Sequence, residues 1–285
     1  KNSNGGGSGN ATESGGGGGG NFGAGGNGAH SLYYPAYYGL GMRGIGGASL
    51  DYSNPSNKIF MGGGGGGSAV LQSTGGLTAN GAPAGGIVII IANTIIGNGY
   101  SIKANGLDAI DRPRANGGGG AGGTILLKVN SYHSSGVNIE AKGGHGGNCT
   151  TWHAGGGNFG PGGGGGGGAV CFNNSSLPPY VNINVSGGDK GYTIRTPIPT
   201  QDNEPGHPGD TLFSVSITEN NAPLLPPIIL GPDIHLCQPG PVTLNAGSGF
   251  THYIWSTGET TQSINVNSDG IYWVKGTSTA FVSCY

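Results

Sequence analysis

Apolar and polar residues alternate in a segment that occurs more than once along the chain. Gly85-Gly86 followed by IVIIIANTIIGNGYSIKANG aligns without gaps, at an offset of 37 residues, with Gly122-Gly123 followed by TILLKVNSYHSSGVNIEAKG. Each copy has an apolar run, a short turn and an alternating stretch such as Val137, Ile139 and Ala141. Because successive side chains of a strand point to opposite faces, this period of two predicts strands with one buried face.

A third copy of the segment begins at Ala169 with AVCFNNSSLPPYVNINVSGG, at an offset of about 44 residues. It places Val181, Ile183 and Val185 at equivalent positions. No stretch of the chain has a helical period. The repeats therefore predict an all-β fold built from stacked β-strand repeats.

Long glycine tracts separate these strand pairs. The chain has 67 glycines among 285 residues, and 58 of them occur at or before Gly191. Ordering a residue costs about 1–2 kcal/mol, and glycine loses the most freedom, so ordered tracts need dense backbone hydrogen bonding. Extended threefold helices point their amides sideways and pack closely where no Cβ intervenes. We therefore expect a layer of polyglycine helices beside the strands, with long surface loops as the alternative.

The last part of the chain has an ordinary β composition. Short apolar runs separated by Gly-containing turns predict a small β-sandwich, with Trp255 as its core tryptophan. A Pro-rich stretch with one strand-like segment, residues 211–218, precedes it. Three parts are predicted: a glycine-rich β repeat domain (1–192), an extended connector (193–227) and the sandwich (228–285).

The predicted sandwich resembles a known family. The stretches VTLNA from Val242, YIWSTGETTQSI from Tyr253 and GIYWV from Gly270 are similar to the immunoglobulin/PKD-like module of large secreted surface proteins of Bacteroidota. Those proteins include gliding-motility adhesins exported by the type 9 secretion system. The resemblance implies an extracellular, cell-surface location. It also implies a processed form or a fragment, since a sorting domain follows such modules. Lys275-Gly276-Thr277 departs from the family pattern and is expected to interrupt the last strand.

Charge and apolar runs exclude several classes of partner. The net charge of −2 and the pI near 6.4 give no electrostatic reason to expect nucleic acid or an acidic membrane surface. The longest apolar run, residues 87–92, is too short to span a bilayer. The start, Lys1-Asn2-Ser3, is typical of a mature N-terminus or of an internal boundary in a longer protein.

The four cysteines predict two structural disulfides. Their even number and the lack of a CxxC motif favour an oxidising, extracellular compartment. Three connectivities are possible from sequence. The change in composition between the two halves favours Cys149–Cys171 and Cys237–Cys284.

Signals of catalysis or of a cofactor are nearly absent from the sequence. GxGxxG matches are expected by chance at this glycine content, and GK[ST], HExxH and GxSxG do not occur. No metal and no cofactor is expected. Asp108 and Asp111 could act as a pair of acids on a stacked β scaffold, as glycan-cleaving enzymes require. We instead expect them to form local ion pairs with Arg112 and Arg114 in a solvated turn.

Aromatic residues provide the candidate ligand contacts. Tyr33, Tyr34, Tyr37 and Tyr38 offer flat stacking faces and hydroxyls suited to sugar rings or to a protein partner, and Trp152 is a further candidate. The alternative is that these rings only cover the glycine layer. Asp210-Thr211-Leu212 resembles the O-glycosylation motif of Bacteroidota, with Thr211 as the acceptor.

The sequence as a whole predicts a non-enzymatic, secreted cell-surface protein. We expect an adhesin or a stalk that binds surface glycans or other fibre subunits. A self-assembling extracellular filament is the main alternative, with glycine faces or exposed strands packed between subunits. Ice binding by a flat glycine/threonine face and a polysaccharide-acting enzyme are the weaker alternatives.

Overall fold

A computed structural model gives the structure of the chain. It describes residues 4–10, 13–31, 43–56, 58–69, 78–151, 159–193, 202–216, 228, 230, 232–234 and 240–277. The described residues form several small sheets and contain no helix, as predicted. Their strands are β1 (Ile87–Ile95), β2 (Ser101–Lys103), β3 (Thr124–Tyr132), β4 (Val137–Glu140), β5 (Ala169–Phe172), β6 (Val181–Asn184), β7 (Asp210–Leu212), β8 (Val242–Asn245), β9 (His252–Trp255), β10 (Ser263–Val266) and β11 (Val274–Thr277). The chain divides into two compact units, Lys1–Ile217 and Thr218–Tyr285.

The first seven strands form two parallel sheets. One sheet has the order β1-β3-β5-β7 and the other the order β2-β4-β6. The strand register has the same offset as the sequence repeat, since Ile87 lies opposite Thr124 and Ile102 opposite Ile139, 37 residues apart in each case. The next step is 45 residues in the first sheet, where Ala169 lies opposite Thr124, and 44 residues in the second sheet. The chain from Ala169 to Val181 is therefore one residue shorter than the equivalent chain from Thr124 to Val137.

The two sheets enclose the main hydrophobic core of the first unit. Alternate residues point into it, and Ile125, Leu127, Ile139 and Phe172 are completely buried. Each such side chain contributes about 1.5–3 kcal/mol. The opposite face of the first sheet packs against a second cluster around Tyr52. Side-chain packing therefore concentrates at the end of the unit where the strands lie.

Glycine-rich backbones continue from these sheets in parallel and antiparallel directions. We call them together the glycine lattice, and its twelve tracts are residues 4–9, 13–21, 23–30, 43–48, 61–68, 79–86, 104–112, 116–123, 141–149, 160–168, 185–192 and 202–209. Three successive amides of one tract donate to three different tracts: Gly18 to Gly26 (2.8 Å), Gly19 to Gly119 (2.9 Å) and Gly20 to Asn4 (2.7 Å). Asn21 then returns to the first of these tracts by donating to Gly23. The amides therefore change direction with a period of three residues.

Three tracts of the lattice are enclosed by others on every side. Tract 116–123 donates to tracts 61–68, 104–112 and 160–168, and it accepts from tracts 13–21, 79–86 and 141–149. Tracts 13–21 and 160–168 are enclosed in the same way. The backbones are thus arranged hexagonally, and most buried amides of these tracts have backbone partners. This satisfies the strong requirement that buried backbone groups be hydrogen-bonded.

At the interior glycines of the lattice, the spacing of the tracts leaves no room for a side chain. A Cβ added at Gly165 would overlap the carbonyl of Gly120, and one added at Gly16 would overlap the carbonyl of Gly66. Gly64 is exposed at the perimeter, and there the nearest atom to an added Cβ would be the carbonyl oxygen of Ala82 at 3.6 Å. Inside the lattice, glycine is therefore required for the close approach of neighbouring backbones.

The first unit extends further along the chain than predicted, and the boundary at residue 192 is too early. Residues 202–209 are a lattice tract, because Gly164 donates to Glu204 (3.0 Å) and Gly206 donates to Gly188 (2.9 Å). β7 then pairs with β5 in the first sheet, with Leu212 opposite Cys171. Residues 202–216 of the predicted connector therefore belong to the first unit.

The second unit has two antiparallel two-stranded sheets, β8-β10 and β9-β11. They share one hydrophobic cluster with Trp255 at its centre, 1% exposed, and the Trp255 indole N–H donates to the carbonyl oxygen of Thr261 (2.8 Å). The prediction that Trp255 is the core tryptophan is confirmed.

The last described strand of the second unit differs from the prediction. β11 begins at Val274 and includes Lys275-Gly276-Thr277, which were expected to interrupt it. Gly276 makes this possible, because a Cβ at that position would overlap the ring of Phe250. Ile271 precedes the strand and is 95% exposed.

Candidate interaction surfaces

One outer face of the lattice carries polar side chains at every third residue. We call it the polar face, and its residues are Asn105, Asp108, Asp111, Lys142, His145, Asn148, Ser186, Asp189 and Tyr192. They lie on three adjacent tracts, 104–112, 141–149 and 185–192, which are joined to one another by backbone hydrogen bonds. Because an extended threefold helix rises about 3.1 Å per residue, side chains on this face repeat about every 9 Å along a tract.

Side chains of the polar face accept hydrogen bonds from outward-pointing amides of the next tract. The side-chain oxygen of Asn105 accepts from the amide of Lys142 (2.9 Å), that of Asp108 from His145 (2.7 Å) and that of Asp111 from Asn148 (2.7 Å). All three bonds span the repeat offset of 37 residues. These bonds satisfy perimeter amides that face no neighbouring tract, so the three side chains have a structural role.

The same type of amide-to-side-chain hydrogen bond joins the second and third tracts of the polar face. The amide of Asp189 donates to Nδ1 of His145 (3.1 Å), and the amide of Tyr192 donates to Oδ1 of Asn148 (2.8 Å). Both bonds span 44 residues, the second repeat offset. The polar face is therefore a fixed array of side chains held by the backbone beneath it.

The expected pairing of Asp108 and Asp111 with Arg112 and Arg114 is corrected by this geometry. Each carboxylate bonds an amide of the neighbouring tract, and Arg114 forms an ion pair with the buried Glu13 (3.1 Å). The reason is the threefold period, which turns residues 108 and 111 towards the adjacent backbone. Both carboxylates already act as amide caps.

A charged cluster lies at the end of the lattice away from the strands. Asp202 accepts hydrogen bonds from the backbone amide of His30 (3.0 Å) and contacts its ring, and it lies 3.4 Å from Arg43. Burial alone would raise the pKa of Asp202, but the hydrogen bonds of His30 and the charge of Arg43 outweigh it and lower that pKa. The cluster thus ties together three tracts that begin or end at this point.

An apolar edge lies on the side of the unit formed by the first repeat. We define it by the exposed side chains of Ile87, Ile89, Ile91, Ile96, Tyr100, Leu107 and Ile110. β1 is the first strand of its sheet, and its other face, with Val88 and Ile90, packs into the core. The sequence signal for this edge is the apolar run at residues 87–92, which predicts a strand without showing that one of its faces is exposed.

The predicted disulfide Cys149–Cys171 is wrong, because both cysteines are free. They occupy different columns of the stack: Cys149 bridges Arg112 and Thr193, whereas Cys171 pairs with Leu126 in the first sheet. Burial raises the pKa of the Cys149 thiol to about 12 and that of the Cys171 thiol to about 11. Both thiols are therefore neutral at ordinary pH.

Several predicted site residues lie outside the described residues. These are Tyr33, Tyr34, Tyr37, Tyr38, Trp152 and the pair Cys237–Cys284. Thr211 is described: it lies in β7 opposite Val170 and is partly buried. The predicted site residues that the structure describes do not lie together in one site.

Metal and membrane signals are absent from the described part of the chain. There, no group of three or more His, Cys, Asp or Glu side chains is placed to hold a metal ion. Within the same residues, no helix is long and apolar enough to cross a bilayer.

Comparison of the chain with protein-family models, with curated proteins and with solved structures gave no match. The function is therefore inferred from residues and geometry.

Proposed function

We propose that the protein is a non-enzymatic extracellular cell-surface protein that acts as an adhesin or a stalk. The observation that carries this proposal is the glycine lattice, whose interior consists mainly of glycine backbones joined by hydrogen bonds and whose exposed side chains lie on its perimeter. In the described residues, close backbone packing fills the lattice, so the groups available for contact lie on its outer faces. Its function is then to hold surface groups at fixed positions for contact with glycans or partner proteins.

We also propose the finer architecture behind this function. The period of three residues in the amide directions supports polyglycine helices, since an extended threefold helix has three residues per turn. The two small sheets around Trp255, together with the sequence resemblance, support an Ig/PKD-like module as a spacer. On this basis the protein belongs to the secreted surface proteins of Bacteroidota exported by type 9 secretion, with Thr211 as a glycosylation acceptor.

A self-assembling filament subunit is the second candidate function. The observation that favours it is the exposed β1, a strand with free hydrogen-bonding groups at the edge of its sheet. Electron microscopy of the purified chain tests it, because regular polymers support the filament and isolated particles contradict it.

Binding of the purified full chain to a glycan array and to intact bacterial surfaces tests the adhesin proposal. We expect saturable binding that falls at least tenfold in a variant with Tyr34→Ala, Tyr37→Ala and Trp152→Ala. The matched control is Tyr192→Ala, an exposed tyrosine of the polar face, which should bind like the natural chain. Loss of binding in Tyr192→Ala alone would instead assign the glycan or surface contact to the polar face.

The same array tests the enzyme alternative. Cleavage of any glycan that disappears in Asp108→Asn or Asp111→Asn would contradict the non-enzymatic proposal. Unchanged glycans with the natural chain support it.

A further inference from the structure

β1 is an unusually unprotected sheet edge. It has nine residues, IVIIIANTI, and carries no charge and no proline. Natural proteins normally shield such an edge with charges, prolines, bulges or a covering segment, because its free amides and carbonyls pair readily with another strand. Among the described residues, no strand lies on the outer side of β1. This edge is therefore available for pairing.

Exposed apolar side chains are concentrated at the same edge. Of the seventeen exposed large apolar side chains in the described residues, seven lie between Ile87 and Ile110 and form the apolar edge. Lys103 and Asp108 are the charged residues in this range, and both are engaged with the second repeat, through Glu140 (3.4 Å) and the amide of His145 (2.7 Å). The edge is thus neutral and fits an equally neutral, apolar partner.

The opposite edge of the same sheet cannot serve as that partner. The last strand, β7, has three residues, whereas β1 has nine. Head-to-tail stacking of copies would therefore leave most of β1 unpaired. Pairing of β1 with β1 of a second copy matches the strand lengths and closes the contact about a twofold axis.

The apolar side chains are placed symmetrically about Ile89. The amide of Leu107 donates to the carbonyl oxygen of Pro83 (2.9 Å), so Leu107 lies at the same height along the strand direction as Pro83. Pro83 precedes Ile89 by six positions, or about 19 Å. Ile96 lies seven positions, or about 23 Å, after Ile89. An antiparallel pair centred on Ile89 therefore brings Ile96 of one copy beside Leu107 of the other. It also places Ile87 opposite Ile91.

The area of the apolar edge is that of a stable interface. The exposed parts of its seven side chains amount to roughly 700–800 Å², against the ~800 Å² that each partner contributes to an interface of standard size. We propose that the protein forms a twofold-symmetric dimer through β1 and the apolar edge, with Ile89 at the axis. This dimer goes beyond the proposed binding to glycans. Its β1–β1 contact occupies the strand edge through which an open filament would grow.

The first test is the mass of the full chain by light scattering after gel filtration over a range of concentrations. We expect twice the chain mass of 28.0 kDa for the natural chain and the single mass for Ile89→Lys. Ile271→Lys is the matched control, since Ile271 is 95% exposed in the second unit, and it should remain a dimer. A natural chain that is monomeric at every concentration, or larger than a dimer, overturns the proposal, as does an Ile89→Lys dimer.

A second test does not depend on the folding of a charged variant. In a Cys237→Ser, Cys284→Ser background, Ile89→Cys should cross-link to the dimer under mild oxidation, because the two copies of residue 89 face each other. Ile110→Cys is the control and should stay uncross-linked, since its partner is the turn of the other copy. If Ile110→Cys cross-links and Ile89→Cys does not, the proposed β1–β1 register is wrong. Neither test depends on glycan binding, so failure of the dimer leaves the adhesin proposal to its own assay.

Discussion

The two units of the chain reach an ordered state in opposite ways. In the glycine lattice, neighbouring backbones bond to one another and the interior has few side chains. In the second unit, two short sheets depend on a side-chain cluster around Trp255. The lattice compensates the large conformational cost of ordering glycine through many hydrogen bonds and close packing, whereas the second unit relies on apolar burial. The lattice should therefore be sensitive to added side-chain atoms, and the second unit to the removal of side-chain atoms.

A large loss of stability is expected from a single methyl group inside the lattice. Gly165→Ala should lower the free energy of unfolding of the first unit by about 3 kcal/mol, because overpacking forces backbones apart and hydrogen bonds on several tracts must shift. Denaturant titration followed by circular dichroism measures it. Gly64→Ala is the control: an added Cβ would make only an ordinary contact with the carbonyl oxygen of Ala82 (3.6 Å), so the value should change by less than about 1 kcal/mol. Equal effects at the two positions would contradict the packing role of glycine.

The second unit should instead be sensitive to loss of a side chain. Trp255→Ala should cost about 3–5 kcal/mol, enough to unfold a unit of this size, because it empties the centre of the cluster. Hydrogen exchange by mass spectrometry should show lost protection in β8–β11 and unchanged protection in the lattice. Trp273→Ala is the matched control, as that indole is 56% exposed. Lost protection in both units would show that the two are not independent.

A smaller effect on stability is expected from Asp202, in the charged cluster at the end of the lattice. The pKa of Asp202 is lowered below its ordinary value of 3.8, so its stabilisation is complete above pH 3.8 and is lost as the pH falls through the lower, folded value. Because Asp202 is about half exposed, its contribution is on the order of 1 kcal/mol or less. The stability difference between the natural chain and Asp202→Asn should shrink from pH 6 to pH 2. Asp269→Asn in the second unit is the control, and a difference independent of pH would contradict the role of Asp202.

The smallest change is expected from thiol reagents. The thiols of Cys149 and Cys171 are buried and, with pKa values of about 12 and 11, stay protonated at pH 8. In a Cys237→Ser, Cys284→Ser background, the folded chain should take up no iodoacetamide within an hour. Uptake of two equivalents should follow unfolding of the lattice and should be unaffected by Trp255→Ala. Rapid labelling of the folded chain would mean that the lattice opens easily.

Much of the first unit could be predicted from sequence because its repeat is nearly exact in spacing. The gapless alignment of residues 85–106 with 122–143 gives the strand register directly, since equivalent residues of stacked repeats lie opposite one another. Trp255 was identifiable because it is a large aromatic residue within a short strand.

The remaining features could not be predicted because glycine tracts carry no pattern. Nothing in a run of identical residues says which tract lies beside which. For the same reason the columns that separate Cys149 from Cys171 were not visible. The tract 202–209 has only two glycines and two prolines among its residues, DNEPGHPG, so its composition indicated a connector. Asp108 and Asp111 were given arginine partners by proximity in sequence, whereas the threefold turn directs them to amides 37 residues away.

The change of amide direction with every residue restricts how this scaffold can vary in length. One inserted residue would rotate the remainder of a tract by about 120°, since three residues complete a turn, and would aim each later amide at the wrong neighbour. An insertion of three residues restores the direction and only lengthens the tract. Length changes within the lattice should therefore be accepted in multiples of three, whereas the loops at its two ends can take any number of residues.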